Sequence, residues 1–383
     1  MRTQRFVAFA LGLTTLLICA AVQAIPIPAA PQLAAKSYVL MDANSGQILA
    51  ASNPDEKTEP ASLTKLMTAY VVFHALNDGV IHLDDPVTIS VKAWRMGGSR
   101  TFAKVGSQVS VDNLIQGMIV QSGNDATVAL AEKIGGTEDT FVELMNKYAQ
   151  QLGMTNSHFV DASGLTSDPQ HYVTAHDIAV LARAIIREFP QYYHYFSEKD
   201  FTWNHISQRN RNELLFTDPS VDGLKTGFTD EAGYCLVASA KRNGMRLIAV
   251  VTGTKSEHAR AVEDEALLNY GFNFYDSRKL YDAGAKVADI KVWKGSDSSV
   301  PVGVSQDFYV TFPKGSYDKL NASIHSTAGI IAPVEAGQPA GSVTVDLDGK
   351  QIADAPLYTL KAVPQGGIFT RMFDSIRLWF HRK

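Results

Sequence analysis

The sequence predicts an α+β domain in which strands from both ends share one antiparallel sheet. A smaller all-β domain of sandwich type and a C-terminal amphipathic helix follow it. Three observations carry this. Strand patterns at 37–41 and 47–51 return at 221–229, 233–240 and 245–252, with helical periods between them. From about Lys279 to Val363, short strands such as 308–312 and 342–347 alternate with Gly, Pro and Asp turns, and no long helical period occurs. In the tail, Ile368, Phe369, Met372, Phe373, Ile376, Trp379 and Phe380 fall on one helix face.

With 383 residues, 45% hydrophobic and 19% charged, the chain has enough apolar content for a large core. Residues 1–24 read as a secretory signal. Arg2 and Arg5 lead, 6–21 are apolar apart from Gly12, Thr14 and Thr15, and Val22-Gln23-Ala24 offers a cleavage site. Ile18 stands before Cys19 where a lipoprotein signal needs a small residue, so lipid attachment is not expected. A formal charge of −4 gives no case for nucleic-acid binding. Cys19 leaves with the signal, and the remaining Cys235 has no partner for an internal disulfide. Cys235 lies in the strand-like stretch 233–237 and reads as a packed small residue rather than a thiol nucleophile.

The expected organisation is a signal at 1–24, a catalytic domain at 25–277, an all-β domain at 278–364 and an anchor at 365–383. Ala43-Asn44-Ser45-Gly46 turns the first hairpin, which delivers the chain to an apolar helix beginning near Pro60. Met96-Gly97-Gly98-Ser99-Arg100-Thr101 reads as an exposed loop able to rim a site. Helices are expected at 112–120, 124–134, 140–152 and 174–188. Asn243-Gly244 is a hairpin turn between two strands, and a helix at 259–269 closes the domain.

The tail is too short and charged to span a bilayer of about 30 Å. Its apolar stripe, together with Arg371, Arg377, Arg382 and Lys383, suits a membrane surface. The rival reading is a helix docked on its own second domain.

Chemistry is suggested first by Ser62 and Lys65. Residues three apart are helix-surface neighbours, about 5–6 Å between Cβ atoms, so the amine can reach the hydroxyl. Such a pair alone is a common string. It gains meaning from two further clusters, Ser122-Gly123-Asn124 and Lys225-Thr226-Gly227, placed at a loop between helices and on a strand. The three clusters in this order resemble the signature of β-lactamases and penicillin-binding proteins. Residues 61–68, 153–165 and 221–239, the β-rich second domain and the basic amphipathic tail are similar to the membrane-anchored D-alanyl-D-alanine carboxypeptidases, which are low-molecular-mass penicillin-binding proteins.

That resemblance covers essentially the whole chain. It implies a β-lactamase/transpeptidase-like fold and a serine carboxypeptidase that releases the terminal D-alanine of peptidoglycan stem peptides. It also implies acylation by β-lactam antibiotics at the same serine, and a location on the periplasmic face of the inner membrane.

The residue roles follow from chemistry. A serine hydroxyl needs a base, and Lys65 serves only when neutral, which burial and a second cation both favour. Lys225 is the expected second cation. Ser122 can relay a proton to the departing amine, and Asn124 can orient Lys65 and hold the substrate amide. Gly227 would let a substrate backbone lie against its strand, with Lys225 and Thr226 facing the terminal carboxylate. The resemblance implies Arg211 as a further carboxylate ligand, whose planar fork suits that anion, with Lys255 a weaker choice. The amides of Ser62 and of the residue after Gly227 would hold the oxyanion. Phe228 stands there, where some relatives carry histidine.

Other chemistries fit less well. The ten histidines form no metal-ligand motif and no phosphate-binding glycine loop occurs, so neither metal nor cofactor is expected. His171 reads as structural. A serine β-lactamase would need a base for its deacylating water, commonly in a Glu-x-x-Leu-Asn loop. Here Glu143-Leu144-Met145-Asn146 is one residue shorter and inside a predicted helix. A non-catalytic wall-binding scaffold would leave the three clusters unexplained.

Overall fold

The computed structural model describes residues 27–326 and 329–381, so the expected signal at 1–24 lies outside the described residues. The first domain is built on a five-stranded antiparallel sheet. Its strands are β1 (Ser37–Asp42), β2 (Ile48–Ser52), β3 (Val221–Thr229), β4 (Gly233–Arg242) and β5 (Met245–Thr254), in the order β2-β1-β5-β4-β3. Strand β1 pairs with β5 from Ser37↔Thr252 to Asp42↔Leu247, which joins the two ends of the domain as expected. Asn243 and Gly244 turn β4 into β5 with φ of 51° and 85°, the left-handed pair a tight hairpin requires.

Both sheet faces are covered, which explains why β1 is buried at every position. Val39 and Met41 face the helical layer, with Val237, Ile248 and Val250. Tyr38 and Leu40 face the opposite core, with Leu236, Leu247 and Val251. The helical layer contains α1 (Thr64–Asn77), α2 (Val111–Ile119), α3 (Asn124–Gly135), α4 (Glu138–Gln151) and α5 (Ala175–Glu188). Enclosure on all sides accounts for the unbroken apolar run of α1, where Leu66, Met67, Val72 and Phe73 are fully buried.

Two boundaries differ from expectation. The helix expected from Pro60 begins as a 3-10 turn over Ala61–Leu63, and α1 proper starts at Thr64. Ala61 has φ of +47°, which no α-helix accommodates, so the chain changes direction immediately before Ser62. The closing helix α6 (Glu257–Phe274) is longer than 259–269, capped by Ser256 Oγ accepting from Ala259 N.

Helix α6 runs directly into β6 (Tyr275–Tyr281), which pairs with a strand of the second domain, so this element crosses the expected division at 277/278. The other strands of that domain are β7 (Lys286–Trp293), β8 (Ser299–Gly303), β9 (Phe308–Pro313), β10 (Leu320–Ser326), β11 (Ile330–Ile331), β12 (Pro339–Leu347) and β13 (Lys350–Thr359). The β6–β9 ribbon and a six-stranded sheet, ordered β10-β12-β13-β8-β7-β11, enclose one core of Val300, Val310, Phe312, Val343, Val345 and Leu357. This is the two-sheet, all-β arrangement expected.

The chain ends in α7 (Ile368–His381). Its start is tied to the second domain by Gly366 N donating to Lys294 O at 2.8 Å and by Lys294 N donating to Asp374 Oδ2 at 2.6 Å. The seven residues of the apolar stripe point away, each at least half exposed. Among the described residues no helix is long and apolar enough to cross a membrane.

Candidate active site

Ser62 lies on the 3-10 turn at the foot of a cavity of about 480 Å³. Ser122, Asn124, Arg211, Thr226 and Gly227 line it too, bringing the three sequence clusters together. The 96–101 loop forms part of the rim through Gly98, Ser99 and Arg100. A larger cleft of about 560 Å³ between the first hairpin and the second domain holds Arg183 and Arg187 but no serine–lysine pair.

Local packing fixes the Ser62 turn. Gly164, at φ of +76°, abuts the Ala61 carbonyl so closely that any Cβ there would overlap it. Thr64 Oγ1 donates to the same carbonyl at 2.8 Å.

Lys65 is buried, and its Nζ contacts Ser62 Oγ at 3.0 Å, Asn124 Oδ1 at 2.7 Å and Ser163 O at 2.6 Å. Burial pushes its pKa down to about 7; Asp161 and Asp125 oppose the shift and Arg211 adds to it. Lys225 and Lys65 repel one another, as the sequence suggests, and the Lys225 pKa is driven well down by burial first, then by Lys65, Arg211 and Arg260.

Asn124 begins α3, and its amide bridges the site. Its Oδ1 receives Lys65, while Nδ2 donates to Gly97 O at 2.8 Å. Asp125 then accepts from Thr101 N and Ala103 N, stitching the rim loop to the same helix end. Ser122 sits at φ of +63°, a costly conformation for a serine. Its buried Oγ lines the cavity and has no hydrogen-bond partner among the described residues.

Strand β3 is the free edge of the sheet, and here one expectation changes. Adjacent strand residues point to opposite faces, so Lys225 and Thr226 do not face one ligand side by side. Thr226 lines the cavity, whereas Lys225 is buried beneath its wall with Nζ donating to Thr226 O at 3.0 Å. Gly227 is dictated by packing: a Cβ there would stand 3.1 Å from Pro60 O and 3.3 Å from Leu63 Cγ. The missing side chain therefore lets β3 approach the Ser62 turn, and Gly227 also lines the cavity.

Arg211 projects from a pinned turn. Asn210 Oδ1 accepts from Asn212 N, and Asn212 Nδ2 donates to Gly223 O at 3.0 Å. The Arg211 guanidinium is exposed, lines the cavity and has no partner among the described residues. Lys255 is exposed and does not line the cavity.

The sequence gives no signal for Arg260, for the stacking of Phe228 or for the Ser163 carbonyl as part of the site. Arg260 is buried beside Arg211, donating to Gly227 O and Arg211 O at 3.3 Å each. Phe228 stacks on Tyr234 at 4.2 Å, forming an aromatic wall. The Ser163 carbonyl is presented by a turn in which Asp161 Oδ1 accepts from Ser163 N and Gly164 N.

The residues of the rejected chemistries are placed elsewhere. Glu143 is exposed on α4, outside the cavity, and Asn146 is occupied with Phe159 N and Phe159 O. Burial raises the Cys235 thiol to about 11, leaving it un-ionised at neutral pH. His171 is buried outside the cavity.

Comparison with known proteins agrees with this geometry. Residues 25–256 match the family model for D-alanyl-D-alanine carboxypeptidase, and residues 275–365 match that for the C-terminal domain of penicillin-binding protein 5. The D-alanyl-D-alanine carboxypeptidase DacA of Haemophilus influenzae is 47% identical over 350 residues, covering 90% of this chain and 89% of that protein. DacA of Escherichia coli is 43% identical over 363 residues, covering 93% and 90%. The crystal structure of penicillin-binding protein 5 from Haemophilus influenzae superposes with a TM-score of 0.84 at 46% identity, covering 88% of this chain and all of that one. The chain belongs to the D-alanyl-D-alanine carboxypeptidase family of serine peptidases.

Proposed function

We propose that this protein removes the terminal D-alanine from peptidoglycan stem pentapeptides through an acyl-enzyme on Ser62, and that β-lactams acylate the same oxygen. The observation that carries this is the Lys65 amine, held near neutrality against Ser62 Oγ. In attack, Lys65 takes the Ser62 proton while Oγ bonds to the carbonyl carbon of the penultimate D-alanine. The amides of Ser62 and Phe228 hold the oxyanion. As the C–N bond breaks, Ser122 passes its proton to the leaving amine and regains one from the Lys65 ammonium, so D-alanine departs and Lys65 is neutral again. Water then gives a proton to Lys65 as it adds to the ester, and Lys65 returns that proton to the Ser62 oxygen as it leaves.

Arg211 binds the terminal carboxylate, supported by its uncommitted guanidinium in the cavity. Thr226 supplies a hydroxyl beside it, and Lys225, underneath, adds positive potential when an anion arrives. Asn124 keeps the Lys65 lone pair on Ser62.

The same reading places the enzyme at the periplasmic face of the inner membrane, exported by residues 1–24 and held by the exposed stripe of α7. Release of D-alanine from a pentapeptide tests the function. Intact mass after penicillin treatment should show one adduct on wild type and none on Ser62→Ala. Folded protein that releases no D-alanine would end the proposal, and rapid penicillin turnover without an adduct would favour a β-lactamase.

A further inference from the structure

Behind the cavity, His171 is buried between the two segments that hold the catalytic pair. Its Nδ1 lies 2.9 Å from Val160 N, and a backbone amide can only donate, so Nδ1 is the acceptor. The ring proton is then on Nε2, which donates to Thr64 Oγ1 at 2.8 Å. Thr64 Oγ1 in turn donates to Ala61 O at 2.8 Å. Every proton in this relay has one possible direction.

The two ends of the relay are functionally distinct. Ala61 is the left-handed residue immediately before Ser62. Val160 opens the segment 160–164, whose Ser163 carbonyl receives Lys65 at 2.6 Å and whose Gly164 abuts the Ala61 carbonyl. We propose that neutral His171 is a positioning residue that sets the Ser62 turn and the Lys65 acceptor in register, so that nucleophile and base keep their contact. This rests on the serine–lysine reading above.

Protonation would reverse one link. A proton on Nδ1 would point at the Val160 N–H, and segment 160–164 would have to withdraw, taking the Ser163 carbonyl with it. The charged groups that act most on the ring are Asp161, Asp168 and His158, and Lys57, Glu59 and Tyr172 line the pocket it borders. The two aspartates favour the cation while burial and His158 disfavour it, and burial is the largest influence, leaving His171 below its ordinary pKa. Asp161 is also engaged by Ser163 N, Ser163 Oγ and Gly164 N.

The test measures penicillin acylation at Ser62 and the kcat and KM for D-alanine release, across the acid range. His171→Gln can accept from Val160 N and donate to Thr64 without titrating, and should stay within about threefold of wild type at neutral pH. His171→Leu should lose on the order of 10–100-fold in acylation and kcat with little change in KM, the scale of a misplaced reacting group. In acid, wild type should fall more steeply than a single titration, with Lys65 and His171 both charging, whereas His171→Gln should fall with Lys65 alone.

If His171→Leu does not fold, Thr64→Val, which severs the relay at nearly constant volume, should show the same loss. The inference is overturned if folded His171→Leu or Thr64→Val acylates at the wild-type rate. It is overturned equally if His171→Gln falls as far as His171→Leu. Wild-type protein that forms no Ser62 adduct would instead refute the serine–lysine reading.

Discussion

Lys65 Nζ lies 2.6 Å from the Ser163 carbonyl and 3.0 Å from Ser62 Oγ. The carbonyl, like Asn124 Oδ1 at 2.7 Å, can only accept. A neutral amine has two protons, and these two oxygens take both. Its lone pair is left for Ser62, whose hydroxyl proton can cross without any group moving. An ammonium would satisfy the same three contacts, so the network accommodates both protonation states. With Lys65 held at about 7, the base form dominates above that pH. Acylation by penicillin should therefore rise through about pH 7 and then level off. Stopped-flow or quenched mass measurements on both sides of neutrality would show it, and a flat profile would remove Lys65 as the base.

Arg211 should give two linked effects. As the uncommitted cation of the cavity, it offers a charged fork to a carboxylate, an interaction of about 1.5–3 kcal/mol. Arg211→Ala should raise KM for a pentapeptide by at least about tenfold, with Arg211→Lys intermediate. Its charge also helps to hold Lys65 down, so Arg211→Ala should move the acid limb of acylation to higher pH. A raised KM with an unmoved limb would keep the ligand role and discard the electrostatic one.

Asp264 concerns stability rather than catalysis. It is fully buried on α6, and neither carboxylate oxygen has a hydrogen-bond partner among the described residues. Burial raises its pKa well above the ordinary value, with Glu263 adding and Arg260 opposing. The folded chain thus keeps this proton over a range in which the unfolded chain releases it. Stability from this group is intact below the unfolded pKa near 3.8 and declines as pH rises towards the folded value. Asp264→Asn, which has no proton to lose, should raise the melting temperature at neutral pH by removing that pH-dependent loss. The gain should shrink towards pH 4. A variant less stable than wild type at neutral pH would refute this.

What the sequence made legible was local. The Ser62–Lys65 spacing, the Asn243-Gly244 turn and the period of β3, β4 and β5 each depend on residues a few positions apart, where side-chain type determines geometry. The 3-10 onset was hidden because alanine has no preference for the positive φ found at Ala61. Gly164, about a hundred positions later, packs against its carbonyl. The Ser163 carbonyl was hidden because a backbone acceptor has no side-chain signature. Gly227 is legible as a residue of the site, whereas its packing against Pro60 and Leu63 is a contact that only the folded chain creates. Arg211 is suggested by resemblance, whereas its side chain's freedom from any partner among the described residues is a property of the assembled cavity.

The last prediction concerns α7, whose two faces do different things. Asp374 accepts from Lys294 N on the side held by the second domain, while Phe369, Phe373, Ile376 and Phe380 project outward, each at least half exposed. Contiguous apolar exposure of this kind is costly in water and favourable at a lipid surface, where cationic residues add attraction to anionic headgroups. The expected attachment is peripheral, since the helix is not long and apolar enough to cross a membrane. Phe373→Asp with Ile376→Asp places two charges in the stripe without touching Asp374. That variant should no longer sediment with anionic phospholipid vesicles, and penicillin acylation should be unchanged because the cavity belongs to the other domain. A chain ending at Gln365 should behave alike. If either protein still sediments as wild type does, attachment resides elsewhere.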